Sequence, residues 1–255
     1  MRGFEIKLTR EGTLKPNNIP TKQTIVLKTK LMPQDVMEVI EKKKTSLFGS
    51  ALRHPKPEEV KVENPVLYLE QVIFVSGYYE IDFNRKASYT IKVDSDVAEL
   101  SIGNEKFPVL DPSSVWKKFG KKMKHGVGIT KKDLVINVTE NAVKNIADIL
   151  YLDNNGFETD FSYSTNSDAV ENYTQRTLDI NKGHIRKIEI TDDAIFEKLV
   201  EKLKEQLTLD IKINHEEYVI TEFHEIFIPI YEAKCYDNKE KVAVARVDAI
   251  TGKLF

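Results

Sequence analysis

Cysteine is all but missing from this 255-residue chain. Cys235 stands alone, which excludes an intramolecular disulfide and a thiolate metal cage and fits a reducing compartment. Tryptophan is as scarce, with Trp116 its single copy. No stretch approaches the ~18–20 apolar residues of a spanning helix. The opening Met1-Arg2-Gly3-Phe4-Glu5-Ile6-Lys7 meets charge before any run long enough for a signal-peptide core, so a cytoplasmic chain is expected. Without an export signal, the glycosylation patterns at Asn137-Val138-Thr139 and Asn172-Tyr173-Thr174 carry no weight. Charge of one sign is not in excess either: 38 Lys plus Arg face 40 Asp plus Glu, net −2, so attraction to nucleic acid or membrane has to be local. With 41% hydrophobic residues, the chain can bury one large core or two smaller ones, which excludes collagen-like and wholly disordered readings.

What is present is an apparent repeat. Val72-Ile73-Phe74-Val75-Ser76-Gly77-Tyr78-Tyr79-Glu80-Ile81-Asp82-Phe83, a short gap and Ala87 to Asp94 read as one hairpin. Glu225-Ile226-Phe227-Ile228-Pro229-Ile230-Tyr231-Glu232-Ala233-Lys234-Cys235-Tyr236, a turn at Asp237-Asn238-Lys239 and Val242 to Asp248 read as a second. Both carry Tyr-Glu and then Val-Asp, and both interrupt the first strand, with Gly77 or Pro229. Each has a helix upstream. Pro33 with Val36, Met37 and Ile40 marks a short one; Thr191 or Asp192 caps a longer one whose stripe is Ile195, Phe196, Leu199, Val200, Leu203 and Leu207. A hairpin needs a covering layer, so each helix is expected over its own sheet.

The expected fold class is therefore α+β, with two helix-plus-antiparallel-sheet units related by internal duplication and a mixed helix and hairpin middle. Boundaries are expected at residues 1–112, 113–184 and 185–255, the first break at Asp111-Pro112-Ser113-Ser114. In the middle, Leu134 to Val138 alternates like a strand, Thr139 can cap a helix through Leu150, and Tyr151 to Tyr163 can turn at Asn154-Asn155-Gly156. Residues 164–183 and 45–65 read as loops, and Ile185 to Ile190 as a strand leading into the second helix. The tail, with Tyr231-Glu232-Ala233-Lys234 and the closing Val247-Asp248-Ala249-Ile250-Thr251-Gly252-Lys253-Leu254, resembles a PepSY-type domain over about residues 188 to 255. That resemblance implies a small helix-on-sheet module that binds and regulates other proteins, peptidases among them, and it brings no catalytic residue.

The chemistry-bearing patterns are few. Residues 115–132 hold seven lysines and no acid; drawn as a helix, Trp116, Phe119 and Met123 share a face while Lys117, Lys118, Lys121, Lys122 and Lys124 splay around it, with Lys131 and Lys132 following. The apolar face can dock on the core with solvated lysines, or the segment can meet an acidic protein, RNA or an anionic membrane surface. Gly120, Gly126 and Gly128 fit neither the P-loop spacing nor a dinucleotide fingerprint. From Asn145 to Gln175 there is no Lys or Arg, so this acidic stretch can pair with the basic one inside the chain or between copies. Asp153-Asn154-Asn155-Gly156 lacks the acid that an EF-hand loop needs further on, which leaves a turn. His215-Glu216 and His224-Glu225 lack the HExxH spacing, and an odd separation on one strand puts the imidazoles on opposite faces. Cys235 has no neighbour that activates a thiol, and no GxSxG elbow occurs. No catalytic residue, metal site, cofactor or small-molecule substrate is nominated. The expectation is a non-enzymatic protein-binding or scaffold protein, self-associating through exposed sheet edges or the polarised middle. The alternative is a binder of RNA, a ribonucleoprotein or an anionic membrane surface through residues 116–132.

Overall fold

Alternation of apolar and polar residues along three long strands decides the architecture. The computed structural model describes residues 4–8, 14–16, 20–48, 55–94, 96–109, 131–207 and 211–255. Among them the order is β1 (Phe4–Leu8), β2 (Leu14–Pro16), β3 (Gln23–Val26), α1 (Pro33–Lys43), β4 (Lys61–Val62), β5 (Val66–Asp94), β6 (Glu99–Ile102) and β7 (Glu105–Pro108). There follow β8 (Lys131–Leu152), α2 (Thr174–Ile180), β9 (Ile185–Arg186), α3 (Asp192–Glu205), β10 (Ile211–Tyr236) and β11 (Val242–Asp248). The fold is mixed α+β, as expected: a large mixed sheet in the order β2-β1-β10-β5-β8, and a separate β6-β7 pair. β3 and β11 share one flank of β10, β4 lies on the other, since Cys235 and Tyr236 pair with β11 and β4 at once, and β9 pairs with β5 in parallel. No helix among the described residues is long and apolar enough to cross a membrane.

Contacts divide the chain into two compact units. The first comprises Met1–Tyr79, Ile146–Gln206 and Glu217–Phe255. In it, β10 changes partner along one flank: β1 at 218–220, β3 at 224–227 and β11 at 230–236. Pro229, which has no N–H to donate, falls where β3 gives way to β11, and its carbonyl accepts the Ala249 N–H at 3.0 Å. The hairpin β10-β11 forms as expected, turning at Asp237–Lys241. α3 starts at Thr191, whose hydroxyl accepts the Ala194 N–H, and buries Ile195, Phe196, Leu199, Val200 and Leu203 of the expected stripe, while Leu207 falls beyond its end at Glu205 and is only partly buried. Gly77 makes room for it: a Cβ there would lie 2.5 Å from the Val219 carbonyl oxygen and 3.2 Å from Leu199 Cδ2. Beside it Tyr79 of β5 stacks on Tyr218 of β10 at 4.3 Å. α1 begins at Pro33, with the Asp35 carboxylate accepting the Met32 N–H, and buries Val36 and Ile40.

The second unit comprises Glu80–Asn145 and Leu207–Glu216. Its core is Val93 of β5, Leu134 and Ile136 of β8 and Val109, against which Leu100 and Phe107 of the β6-β7 hairpin pack. That hairpin turns through Gly103, whose φ of +59° suits glycine.

Several expectations fail for one physical reason, the pairing of strands distant in sequence. The first hairpin is a single 29-residue strand, since Asn84-Arg85-Lys86 bonds sideways, Asn84 to Asn214 and Arg85 to Glu140, and does not turn. The helix expected from Thr139 to Leu150 is strand, its even positions Leu134, Ile136, Ile146, Leu150 and Leu152 buried with a period of two. α1 does not cover the front strands: it packs on Tyr231, Ala233, Cys235, Ala245 and Val247 of β10-β11. With the first hairpin gone, internal duplication is not confirmed. Residues 164–183 include α2, and the strand expected over Ile185 to Ile190 is two residues long.

Candidate functional site

Four charged side chains meet in the first unit. Hairpin register sets Glu232 of β10 opposite Arg246 of β11, and parallel pairing sets Glu70 of β5 beside Arg186 of β9. Arg186 grips Glu232 with both terminal nitrogens at 2.5 Å and reaches Glu70 at 2.8 Å. Arg246 donates to Glu232 at 2.9 Å and also to Glu70. Burial pushes the Glu232 carboxyl up, but the two guanidiniums outweigh it and hold it below the usual carboxylate range. A cleft of about 200 Å³ adjoins this quartet, lined in part by Asp160, Tyr163 and Phe255. Behind it Asp248, 2% exposed, accepts from Tyr163 Oη, Thr251 Oγ1 and the Ile250 N–H. Burial, then that bond to Asp248, raises the Tyr163 phenol. Gln71, 4% exposed, donates to Glu225 and accepts the Ile188 N–H. Among the described residues no buried side-chain polar atom lacks a partner. These groups tie β5, β9, β10 and β11 together, each carboxylate of the quartet being held by both guanidiniums, so the arrangement is a structural clasp.

The second unit offers more accessible groups. β8 ends the sheet order, and among the described residues no strand pairs with its outer edge over 131–145. Its outward face carries Val135 and Val143, the latter 70% exposed. Beside it Glu140 accepts from Arg85 Nε at 2.5 Å and from the Tyr89 hydroxyl. Those bonds lower the Glu140 carboxyl, Tyr89 contributing most, and the Glu140 carboxylate in turn raises Tyr89 and Arg85.

Of the residues singled out from sequence, Trp116, Lys117, Lys118, Lys121, Lys122 and Lys124 lie outside the described residues. Lys131 and Lys132 open β8, Lys131 exposed and Lys132 partly buried. The acidic stretch finds a cation nearby: Asp148 and Glu158 both approach Lys202 of α3. Asp153 accepts the N–H groups of Asn155 and Phe157 at 2.9 Å each, and Gly156 adopts φ +81°, so the turn forms where the sequence placed it. His184 packs edge-on against Tyr68, and His224 lies 5.2 Å from the Phe74 ring. No group of three metal-ligating side chains occurs among the described residues. Cys235 is fully buried under α1, and burial raises its thiol. The clasp escaped sequence reasoning, although the hairpin register alone would have set Glu232 against Arg246. The bracing of Arg85 needed strand pairing between residues 55 positions apart, which has no local signal.

No family model matches the chain, and neither a curated protein nor a solved structure matches it.

Proposed function

We propose that this chain is a non-enzymatic protein-binding protein that associates with a second copy of itself through the open edge of β8. The observation that carries this reading is the self-complementarity of that edge. Antiparallel pairing about a two-fold at Ala142 sets Glu140 opposite Lys144, Val138 opposite Ile146 and Thr139 opposite Asn145 of the other copy. Residues equidistant from Ala142 share parity, so the even face of one copy, partly buried at Val138, Glu140 and Ala142 and buried at Ile146, continues into that of the other. On the odd face, the exposed Val143 comes diagonal to its own copy across the axis. Other registers, shifted to bring Glu140 onto Glu140 or Lys144 onto Lys144, pay in like-charge repulsion. Lys202 donates to the Ile149 carbonyl at 3.0 Å and closes the edge at that end, so pairing spans 138–146.

The test is Ala142→Cys without reductant. Paired strands bring the two Cα atoms to about 4.5–5.5 Å, within disulfide reach, so a covalent dimer is expected on a non-reducing gel. Thr139→Cys, which meets Asn145 and not itself, gives none. Cys235 is buried and does not interfere. A monomer at high micromolar concentration by light scattering, with no cross-link, sinks the reading.

A second reading concerns residues 116–132. β7 ends at Pro108 and β8 begins at Lys131, so the second unit holds both ends of this basic segment. It then meets RNA, a ribonucleoprotein or an anionic membrane surface. Replacing Lys117, Lys118 and Lys121 with Glu should abolish such binding, and rising salt should weaken it steeply.

A further inference from the structure

The second unit also contains an open groove of about 750 Å³ lined by Asn84, Arg85, Lys86, Thr139, Ile211 and Lys212. Among the described residues its lining carries three cations and no carboxylate. Two features set it apart from a face of solvated lysines. The first is Arg85: Glu140 holds its Nε, Tyr89 holds the other Glu140 oxygen, and no hydrogen bond among the described residues takes the terminal Nη atoms. A Glu140 side chain 18% exposed thus holds the Nε of an Arg85 side chain that is 52% exposed, which orders its planar fork. The second is that Lys86 and Lys212 enter no ion pair among the described residues although both line the same concavity. Consecutive residues of a flat strand point to opposite faces, yet Arg85 and Lys86 both line the groove. The Asn84 and Asn214 side chains bond each other reciprocally at 3.1 and 3.3 Å, which ties β5 to β10 beside Lys212.

We propose that this groove binds phosphate groups, with the Arg85 fork taking two phosphate oxygens and Lys86 and Lys212 neutralising the flanking charge. The chemistry follows from the donor set. A guanidinium matches phosphate with two parallel hydrogen bonds, and ammonium groups act as point charges beside it. The groove's volume lies within the usual range for small-molecule sites, and its open ends also admit a polyphosphate or polynucleotide backbone. Recognition by side chains alone, without the backbone N–H cradle of a P-loop, makes affinity moderate and strongly salt-dependent. The site does not depend on pairing at β8, nor on the lysine-rich segment.

The experiment measures binding by the full chain of three probes at low salt: inorganic tripolyphosphate and ATP by calorimetry, and a fluorescent single-stranded oligouridylate by anisotropy. Arg85→Lys keeps the charge but loses the fork, and should weaken binding about tenfold. Lys86→Gln with Lys212→Gln should also weaken it about tenfold and flatten the salt dependence by about two ions. Substituting Lys117, Lys118, Lys121 and Lys122 with Gln should leave tripolyphosphate binding unchanged. Binding of tripolyphosphate and ATP assigns the source to small polyphosphates, and binding of the oligonucleotide alone assigns it to a nucleic-acid backbone; either supports the groove if its variants weaken it. The proposal is overturned if no probe binds the folded protein, if the groove variants bind like the parent, or if only the lysine-segment variant loses binding. Circular dichroism confirms folding of each variant.

Discussion

At the scale of single residues, Gly77 and Glu232 show how little tolerance the first unit has. A methyl group on Gly77 meets a backbone carbonyl at 2.5 Å, and neither strand can retreat without breaking its ladder. Gly77→Ala is therefore expected to destabilise the fold by about 1–3 kcal/mol, read as a lower urea midpoint at unchanged slope. Gly183 is the control, because nothing lies within 4 Å of its added carbon; Gly183→Ala should hold or raise the midpoint. Equal midpoints for the two variants would remove the close approach of β5 and β10. Glu232 carries the pH dependence. Its folded-state pKa lies below the ordinary 4.5, because Arg186 and Arg246 overcome the effect of burial. The clasp therefore contributes fully above that ordinary value and loses its contribution as pH falls through the lowered one. Glu232→Gln should cost about 2 kcal/mol near neutrality, between the surface and buried limits for ion pairs. The gap between variant and parent should narrow as pH falls through the lowered pKa of Glu232. A gap that stays constant with pH would show that the carboxylate's charge is not what holds β9 and β11.

At the scale of elements, legibility follows range. The 225–248 hairpin and α3 could be read because their signals are local: a turn between alternating strands, a cap, an apolar stripe. The path of β5 could not, since Asn84-Arg85-Lys86 resembles a polar gap until Asn214 and Glu140 arrive from β10 and β8. Thr139 likewise imitates a helix cap, and only the sheet's demand for alternation makes Thr139 to Leu150 extended. Of the site, the exposed edge was expected as a class of feature, but its position on β8 and the braced Arg85 were not. α1 offers a test at this scale, because its register was legible and its docking partner was not. Ile40 is fully buried against the cluster that holds Cys235. Ile40→Ala should cost about 2–5 kcal/mol. It should also speed thiol labelling of Cys235 by a disulfide reagent in native buffer, because labelling needs α1 to lift. If labelling is as slow as in the parent, α1 is not the lid over that thiol.

At the scale of the whole molecule, one strand is asked to serve two associations, and they can be told apart by what each depends on. Pairing between copies is a mass-action event on the backbone of residues 138–146, so its signature is concentration. Phosphate binding is a side-chain event, so its signature is salt. Hydrogen exchange across a hundredfold dilution series should show amides within 138–146 losing protection as the protein is diluted, while those of α3 keep theirs. Lys144→Glu sets two carboxylates opposite each other at the two-fold and should abolish that concentration dependence, yet should leave tripolyphosphate affinity within about twofold, because Lys144 does not line the groove. Lys212→Gln should do the reverse. Glu140 is where the two meet, for it braces Arg85 and faces Lys144 of the other copy. Glu140→Gln keeps a hydrogen-bond acceptor for Arg85 but surrenders the charge, so both associations should weaken together. If Glu140→Gln moved only one of them, the two surfaces would not share this carboxylate, and whichever was untouched would have to be anchored elsewhere on β8.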